Sequence, residues 1–381
     1  MTEPWRALTK AGVPTAVVDL DRFDANAAGM LRRSGGMPIR VASKSIRVRS
    51  LIERALSFKC YQGVLGYSVA EAIWLVRNGI DDVVVAYPTV DEESVRTVAA
   101  DPTLAAAITF MVDLPEHIDW LARFAQDVPL RVSIDVDCSL RLVALSIGAH
   151  RSSVHTADEA GRLAAHAAAT PGLALVGMMF YEAQVAGVPD NKAGMRIVKK
   201  LSLDQLTRDR GAIRSAVEEH ASLEFVNGGG TGSLHTTHLD PAITELAAGS
   251  GLFSPASFDG FDDLRVEPAA WFVSPVTRKP RADVVVTFSG GYLASGAADR
   301  SRLPTPTHPS GLSYFLQEGA GEVQSPLRGK AARDLELGDL VWFRHAKAGE
   351  MCERFDEIVL ISDGQVTGRV PTYRGEGKNF G

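Results

Sequence analysis

Lys44 closes the run Pro38-Ile39-Arg40-Val41-Ala42-Ser43-Lys44, a short apolar segment that reads as a buried strand with a lysine at its carboxyl end. A lysine on a solvated helix face loses little by staying charged. At the end of an interior strand it faces desolvation, which lowers its pKa and frees the amine to attack an aldehyde. Lys44 is therefore a candidate Schiff-base nucleophile, and pyridoxal phosphate is the aldehyde cofactor that such a lysine most often holds. The alternative is a surface lysine opening a loop. A second run, Leu223-Glu224-Phe225-Val226-Asn227-Gly228-Gly229-Gly230-Thr231-Gly232-Ser233, passes from apolar residues into glycines and two hydroxyls. Gly229, Gly230 and Gly232 would let backbone N–H groups approach a phosphate without Cβ obstruction, with Thr231 and Ser233 as further donors. No lysine follows the last glycine, so this is not a Walker loop, and the spacing of a dinucleotide fingerprint is absent. Its competing reading is an ordinary strand exit.

The elements that must position these residues alternate. From Thr15 to about Ser250, short β-branched or apolar runs alternate with helical patterns, the signature of parallel strands joined by crossover helices. Eight strand candidates centre on Val41, Val64, Val84, Ile108, Val132, Leu175, Phe225 and Leu246. Helices are expected at Val48 to Leu56, Val69 to Asn78, Asp91 to Ala99, Pro115 to Phe124, Ala157 to Ala168 and Leu203 to His220, several with acidic or hydroxyl residues in their first turns. The fold class is α/β: eight strands predict a closed (β/α)8 TIM barrel, with a doubly wound open sheet as the competing architecture. In a barrel the active site lies at the carboxyl ends of the strands, and phosphate commonly binds the loops after strands seven and eight. Lys44 follows strand one, which neighbours strand eight on closure, so lysine and glycine loop would share one rim. Gly249-Ser250-Gly251, after the eighth run, would complete a phosphate cup or simply turn the chain out of the barrel.

Beyond about Phe261 the pattern becomes short alternating runs, Ala282 to Phe288, Asp339 to Arg344 and Glu357 to Ser362, and predicts a second, C-terminal β-rich domain. Residues 15–255 are assigned to the barrel; residues 1–14, too few to fold alone, join 260–381 in the β-rich unit. A chain of 381 residues with 45% hydrophobic content has room for both. The formal charge of -6, with no run of Lys or Arg, argues against nucleic-acid and anionic-membrane surfaces and for small-molecule chemistry. Met1 to Lys10 carries no apolar leader core, and no stretch approaches the roughly 20 apolar residues of a membrane span, so a cytoplasmic location is expected. Cys60, Cys138 and Cys352 have neither metal-knuckle nor disulfide-framework spacing, which fits a reducing compartment.

The residues Val41-Ala42-Ser43-Lys44, Tyr181-Glu182-Ala183-Gln184 and Gly228 to Ser233 resemble the D-threonine aldolase and D-serine dehydratase branch of the alanine racemase-like pyridoxal-phosphate enzymes, close to bacterial amino acid deaminase/aldolase proteins. The resemblance spans nearly the whole chain. It implies a barrel plus β domain, a homodimer, an amino-acid substrate, and Lys44 as the cofactor lysine. It implies a lyase on D-β-hydroxy amino acids, cleaving D-threonine-like substrates or dehydrating D-serine-like ones. An amino-acid racemase on the same fold is the first alternative, with Tyr292 as its visible second base. That reading is weakened because Ser45-Ile46-Arg47 follow the lysine in place of the racemase run. A pyridoxal-phosphate-binding protein without turnover is the second alternative. In this branch a His-x-Asp or His-x-Cys pair in the β domain holds a divalent cation. Here His345 matches, but Lys347 stands at the second position, and a protonated lysine cannot ligate a metal. The metal is thus in question, with His345 its one candidate ligand. The expected replacement is the Lys347 ammonium, oriented by Glu350, with His345 acting on the β-hydroxyl. A solvated charge cluster at a strand end is the alternative.

The same resemblance brings Tyr181 to the cofactor ring, unless it is a core aromatic with one wet edge. Arg141 and Arg151 are both candidates for the cofactor's phenolic oxygen, and Asp135 or Asp137 would orient whichever serves. Glu322 and Gln324 resemble a segment lining the second-domain side. Tyr373-Arg374-Gly375-Glu376-Gly377-Lys378 has no assigned role beyond a carboxylate contact from Arg374.

Overall fold

The computed structural model describes residues 3–11, 13–143 and 145–381. Eight parallel strands close into a barrel in the order of the chain: Ile39–Ala42, Tyr61–Gly66, Val83–Val85, Ile108–Val112, Leu130–Asp135, Leu173–Phe180, Phe225–Gly228 and Glu245–Ala248, the last pairing with the first. Each contains one of the eight predicted centres, and closure decides against the open sheet. Period-two alternation divides each strand between two environments. Ile39, Val41, Val64 and Phe110 face the helices, whereas Val84, Met111, Met179 and Phe225 fill the barrel interior, joined by Val176 where a register shift against the Leu130–Asp135 strand interrupts the alternation. Gly177 is required there, because a Cβ would collide with the Phe225 ring.

The crossover helices begin where the sequence supplies side-chain oxygens for their first N–H groups. Ser68 caps Val69–Arg77, Asp91 caps Glu92–Ala99, and Thr156 with Glu159 forms a reciprocal capping box on Ala157–Ala169. The last long helix starts earlier than expected, at Met195, and runs to Glu218. Its first two turns expose Ile197 and Leu201, so they lack the buried stripe by which a sequence pattern is recognised.

A nine-stranded sheet forms the second unit. Val284–Phe288, Leu340–Arg344 and Glu357–Ser362 occupy the three runs expected there. One strand departs from the expected boundary at residue 15. Thr15–Asp19 lies in this sheet, antiparallel to the strand Ala270–Arg281 and parallel to Glu357–Ser362. Its apolar residues find partners on both edges there, and the barrel closes without it. Val17 packs with Trp271, Trp342 and Val359 in a small core covered by Trp5 and Leu8. Met1, Thr2 and Gly12, in the segment assigned to this unit, lie outside the described residues. No helix among the described residues is long and apolar enough to cross a membrane.

Candidate active site

A cavity of about 660 Å³ opens at the carboxyl ends of the barrel strands, roofed by loops and turns of the second unit. Lys44 projects into it from the 3-10 turn Ser43–Ser45 that follows the first barrel strand. Its Nζ donates to the Tyr87 hydroxyl at 2.7 Å. The turn is held from several sides: Arg47, at φ 54°, pairs with Glu353 at 2.7 Å, and its carbonyl accepts from Tyr373 N at 2.9 Å. Gly349 of the second unit packs so closely on the Lys44 carbonyl that a Cβ would collide with it.

Across the cavity, Gly229, Gly230 and Thr231 face Gly249 and Ser250. The glycine loop is shaped by a carboxylate behind it. Glu182, fully buried, accepts from Gly229 N at 3.2 Å, from Ser233 Oγ at 3.0 Å and from Thr237 Oγ1, and pairs with Arg210 at 2.7 Å. Thr231 Oγ1 takes Gly251 N at 3.0 Å, and Ser45 Oγ meets Ser250 Oγ at 2.9 Å, tying both loops to the Lys44 turn. A Cβ on Gly249 would strike the Ala42 carbonyl, and one on Gly230 would lie 2.8 Å from Ala186 Cβ. This Cβ-free, hydroxyl-lined cradle beside a lysine fits a phosphorylated aldehyde. Gly232 and Ser233 are framework: Gly232 packs on the Ala186 carbonyl, and Ser233 faces Glu182 rather than the cavity.

Of the two arginines considered, Arg151 lines the cavity. Arg141 lies outside it on the Leu140–Leu142 strand of a short hairpin, half exposed and paired to Asp137 at 2.8 Å. Tyr181, 38% exposed, turns its ring into the cavity. Asp135 also lines it, where burial, helped by the charges of Asp113 and Asp137 and opposed by Arg151, pushes its pKa up to about 8.

The second unit contributes Ser295, Arg302, Lys347 and Glu350. Lys347 Nζ donates to Ser295 Oγ at 2.9 Å and lies 3.9 Å from Glu350 Oε1. Burial lowers its pKa, as do the charges of Arg302, Lys44 and Arg151, while Glu350 raises it. His345 does not reach the lining. Its ring is 5% exposed, burial lowers its pKa, and Nδ1 donates to the Lys347 carbonyl at 2.6 Å. His345 is absent from the residues that line the cavity, so its expected action on a substrate hydroxyl has no geometric support. Among the described residues, no three His, Cys, Asp or Glu side chains gather into a metal-binding set.

Several expected contacts lie elsewhere. Tyr292 packs on Phe272 and Phe355 with its hydroxyl on Ser289 Oγ at 2.8 Å. Glu322 and Gln324 lie off the cavity, and Arg374 pairs with Asp356 on the surface at 2.9 Å. Conversely, Tyr87, Asn227 and Arg302 line the site without having been anticipated. Tyr87 was within reach of sequence reasoning, since Ala86-Tyr87-Pro88 follows the third barrel strand directly, where functional side chains concentrate.

The family model described as alanine racemase, N-terminal domain, matches residues 18–255. This chain belongs to that family. Among curated relatives, a 3-hydroxy-D-aspartate aldolase of Paracoccus denitrificans is 28% identical over 273 residues, covering 68% of this chain and 65% of the relative, a little under two thirds of its length. A D-threonine aldolase of an Arthrobacter species is 24% identical over 96% of this chain and 93% of its own. Among solved structures, D-threonine aldolase from Filomicrobium marinum superposes with a TM-score of 0.80 at 22% identity, covering 97% and 99% of the two chains. D-threo-3-hydroxyaspartate dehydratase from Delftia sp. HT23 gives 0.71 at 19%, with the same coverage. These superpositions establish the alanine racemase-like architecture for the full chain, barrel and sheet together. Pyridoxal phosphate is the cofactor that the family implies.

Proposed function

We propose that this chain is a pyridoxal-phosphate-dependent lyase acting on D-configured β-hydroxy amino acids, by retro-aldol cleavage or by dehydration. The observation that carries the reading is the meeting of Lys44 with the Gly229–Thr231 and Gly249–Ser250 loops in one cavity. Lys44 is the amine that holds the cofactor, the two loops cradle its phosphate, and Arg151 with Tyr181 contacts its ring. Bound there, pyridoxal phosphate supplies an electron sink for the bonds at the substrate Cα. Asp135, held neutral below about pH 8, is a hydrogen-bond donor beside Arg151 rather than a second negative charge.

Arg302 bears on the substrate. Among the described residues its guanidinium makes no ion pair or hydrogen bond, and its Nε is buried without a partner while the side chain lines the cavity. An unpaired guanidinium in an enclosed site is matched by a carboxylate. This favours a substrate with a second acidic group, in line with the relative named 3-hydroxy-D-aspartate aldolase. A cytoplasmic homodimer completes the reading, supported by the family resemblance and by the free thiols of Cys60, Cys138 and Cys352. The experiment is incubation of the reconstituted protein with D-3-hydroxyaspartate, D-threonine and D-serine, with separate assays for glycine, keto acid and racemised amino acid. Glycine or keto acid from a D-substrate is expected. Racemised amino acid alone would replace the lyase with a racemase.

A further inference from the structure

The cation at the substrate's β-oxygen is where this chain departs from what its resemblance implies. A relative of the dehydratase type has been solved in a metal-free form of a cysteine variant, which marks metal as part of that enzyme. The donors here do not fit a divalent ion. Of the His-x-Lys pair, His345 is buried at 5% exposure and does not line the cavity. Lys347, at the second position, has no lone pair to offer while protonated. The nearest carboxylate, Glu350, is already engaged by the Ser295 backbone N–H at 2.8 Å and the Ser295 hydroxyl at 2.5 Å. Three further cations, Lys44, Arg151 and Arg302, line the same cavity and would repel a dication.

We infer that the Lys347 ammonium takes the place of the divalent cation, and that this chain is a metal-independent lyase in which Lys347 holds and polarises the substrate's β-hydroxyl. The inference rests on the lyase reading above. Its geometric basis is a relay of fixed contacts. Glu350 grips both the N–H and the hydroxyl of Ser295, Ser295 Oγ accepts from Lys347 Nζ at 2.9 Å, and Lys347 faces the cavity that Lys44 enters from the barrel. The ammonium keeps hydrogens beyond the one given to Ser295, and the β-oxygen of a substrate lying between Lys44 and the second unit is their acceptor. His345 shapes this arrangement indirectly, because its bond to the Lys347 carbonyl fixes the turn from which the lysine projects.

The test combines metal analysis with kinetics on the holoprotein. Elemental analysis of protein loaded with pyridoxal phosphate is expected to find no stoichiometric Mn, Mg, Zn, Co or Fe. Turnover should be unchanged by EDTA and by added Mn2+. Lys347→Met should lower kcat/KM by about 100-fold, with the cofactor absorbance and thermal midpoint kept as controls for folding, and Lys347→Arg should retain part of the activity. A stoichiometric metal whose removal abolishes turnover and whose return restores it would overturn the inference while leaving the lyase reading intact. Full activity in Lys347→Met would overturn it as well. No product from any β-hydroxy amino acid would overturn the lyase reading first and this inference with it.

Discussion

Asp135 and Arg302 show how single residues in this cavity are set by what surrounds them. The folded-state pKa of Asp135 is raised, by burial first and then by Asp113 and Asp137, with Arg151 opposing. Between the ordinary carboxylate value near 3.8 and about 8, the folded protein therefore keeps a proton that the unfolded chain releases. Asp135 contributes a fall in the stability of the cofactor-free protein as pH rises through that window, by at most about 1.4 kcal/mol per pH unit, against a rise below pH 6.5 from His235, His308 and His345, whose pKa values burial lowers. Asp135→Asn should flatten the decline, read as the thermal midpoint against pH. Glu71, pushed up to about 7 mainly by burial, contributes a slope of the same sign up to that pH, which the substitution should leave in place. Arg302 gives a kinetic prediction. Arg302→Met should reduce kcat/KM for D-3-hydroxyaspartate by about 100-fold and for D-threonine by far less, because the lost charge-assisted contact concerns only the second carboxylate. Equal losses on both substrates would return Arg302 to a structural role. Arg302 was not legible in the sequence because nothing local marks it. It lies in a long irregular segment, and only the folding of the second unit over the barrel brings it to Lys44.

At the scale of elements, the barrel was legible because each strand is a short apolar run bounded by turn residues, and each of several helices announces itself with a side-chain cap. Lys44 and the glycine loop were legible for the same reason, since position at the carboxyl end of a strand is a property of the pattern. The carboxyl-terminal segment was visible only as an unexplained motif, and its role emerges from contacts far apart in the chain. Tyr373 lies 1% exposed, donates its hydroxyl to Glu71 Oε1 at 2.9 Å and its backbone N–H to the Arg47 carbonyl, and packs edge-on against Trp74. Glu71 in turn accepts from Tyr67 N at 2.7 Å, and Arg47, whose carbonyl Tyr373 holds, bonds its own N–H to the carbonyl of Ser43, the residue before Lys44, at 2.9 Å. The tail thus braces the turn that carries the lysine. Tyr373→Phe removes one buried hydrogen bond and leaves the Glu71 oxygen without its donor, at a cost of about 1–3 kcal/mol. A thermal midpoint lowered by several degrees is expected, together with a shift in the cofactor absorbance. A midpoint change without any spectral change would confine Tyr373 to stability.

The whole molecule is two units that cannot be cut apart at a single point. The chain enters through Thr15–Asp19 in the middle of the sheet, passes through all eight barrel strands, and returns to complete the sheet around its own beginning. The sequence shows a change of pattern near residue 260 but cannot show that an early strand belongs with late ones, because strand pairing over such separation leaves no local trace. This wrapping places Lys347 and Glu350 above Lys44 and fixes Gly349 against the lysine's own carbonyl, so the cavity exists only when both units are folded. Within that cavity Lys44 is expected to hold pyridoxal phosphate. The most direct test is the visible absorbance spectrum of the full chain after reconstitution with pyridoxal phosphate and removal of excess, for wild type and Lys44→Ala. A cofactor band in wild type that is abolished by borohydride reduction onto Lys44, shifts on adding a D-β-hydroxy amino acid and is lost in Lys44→Ala is the predicted result. A wild-type protein that stays colourless, or an unchanged band in Lys44→Ala, would contradict the account.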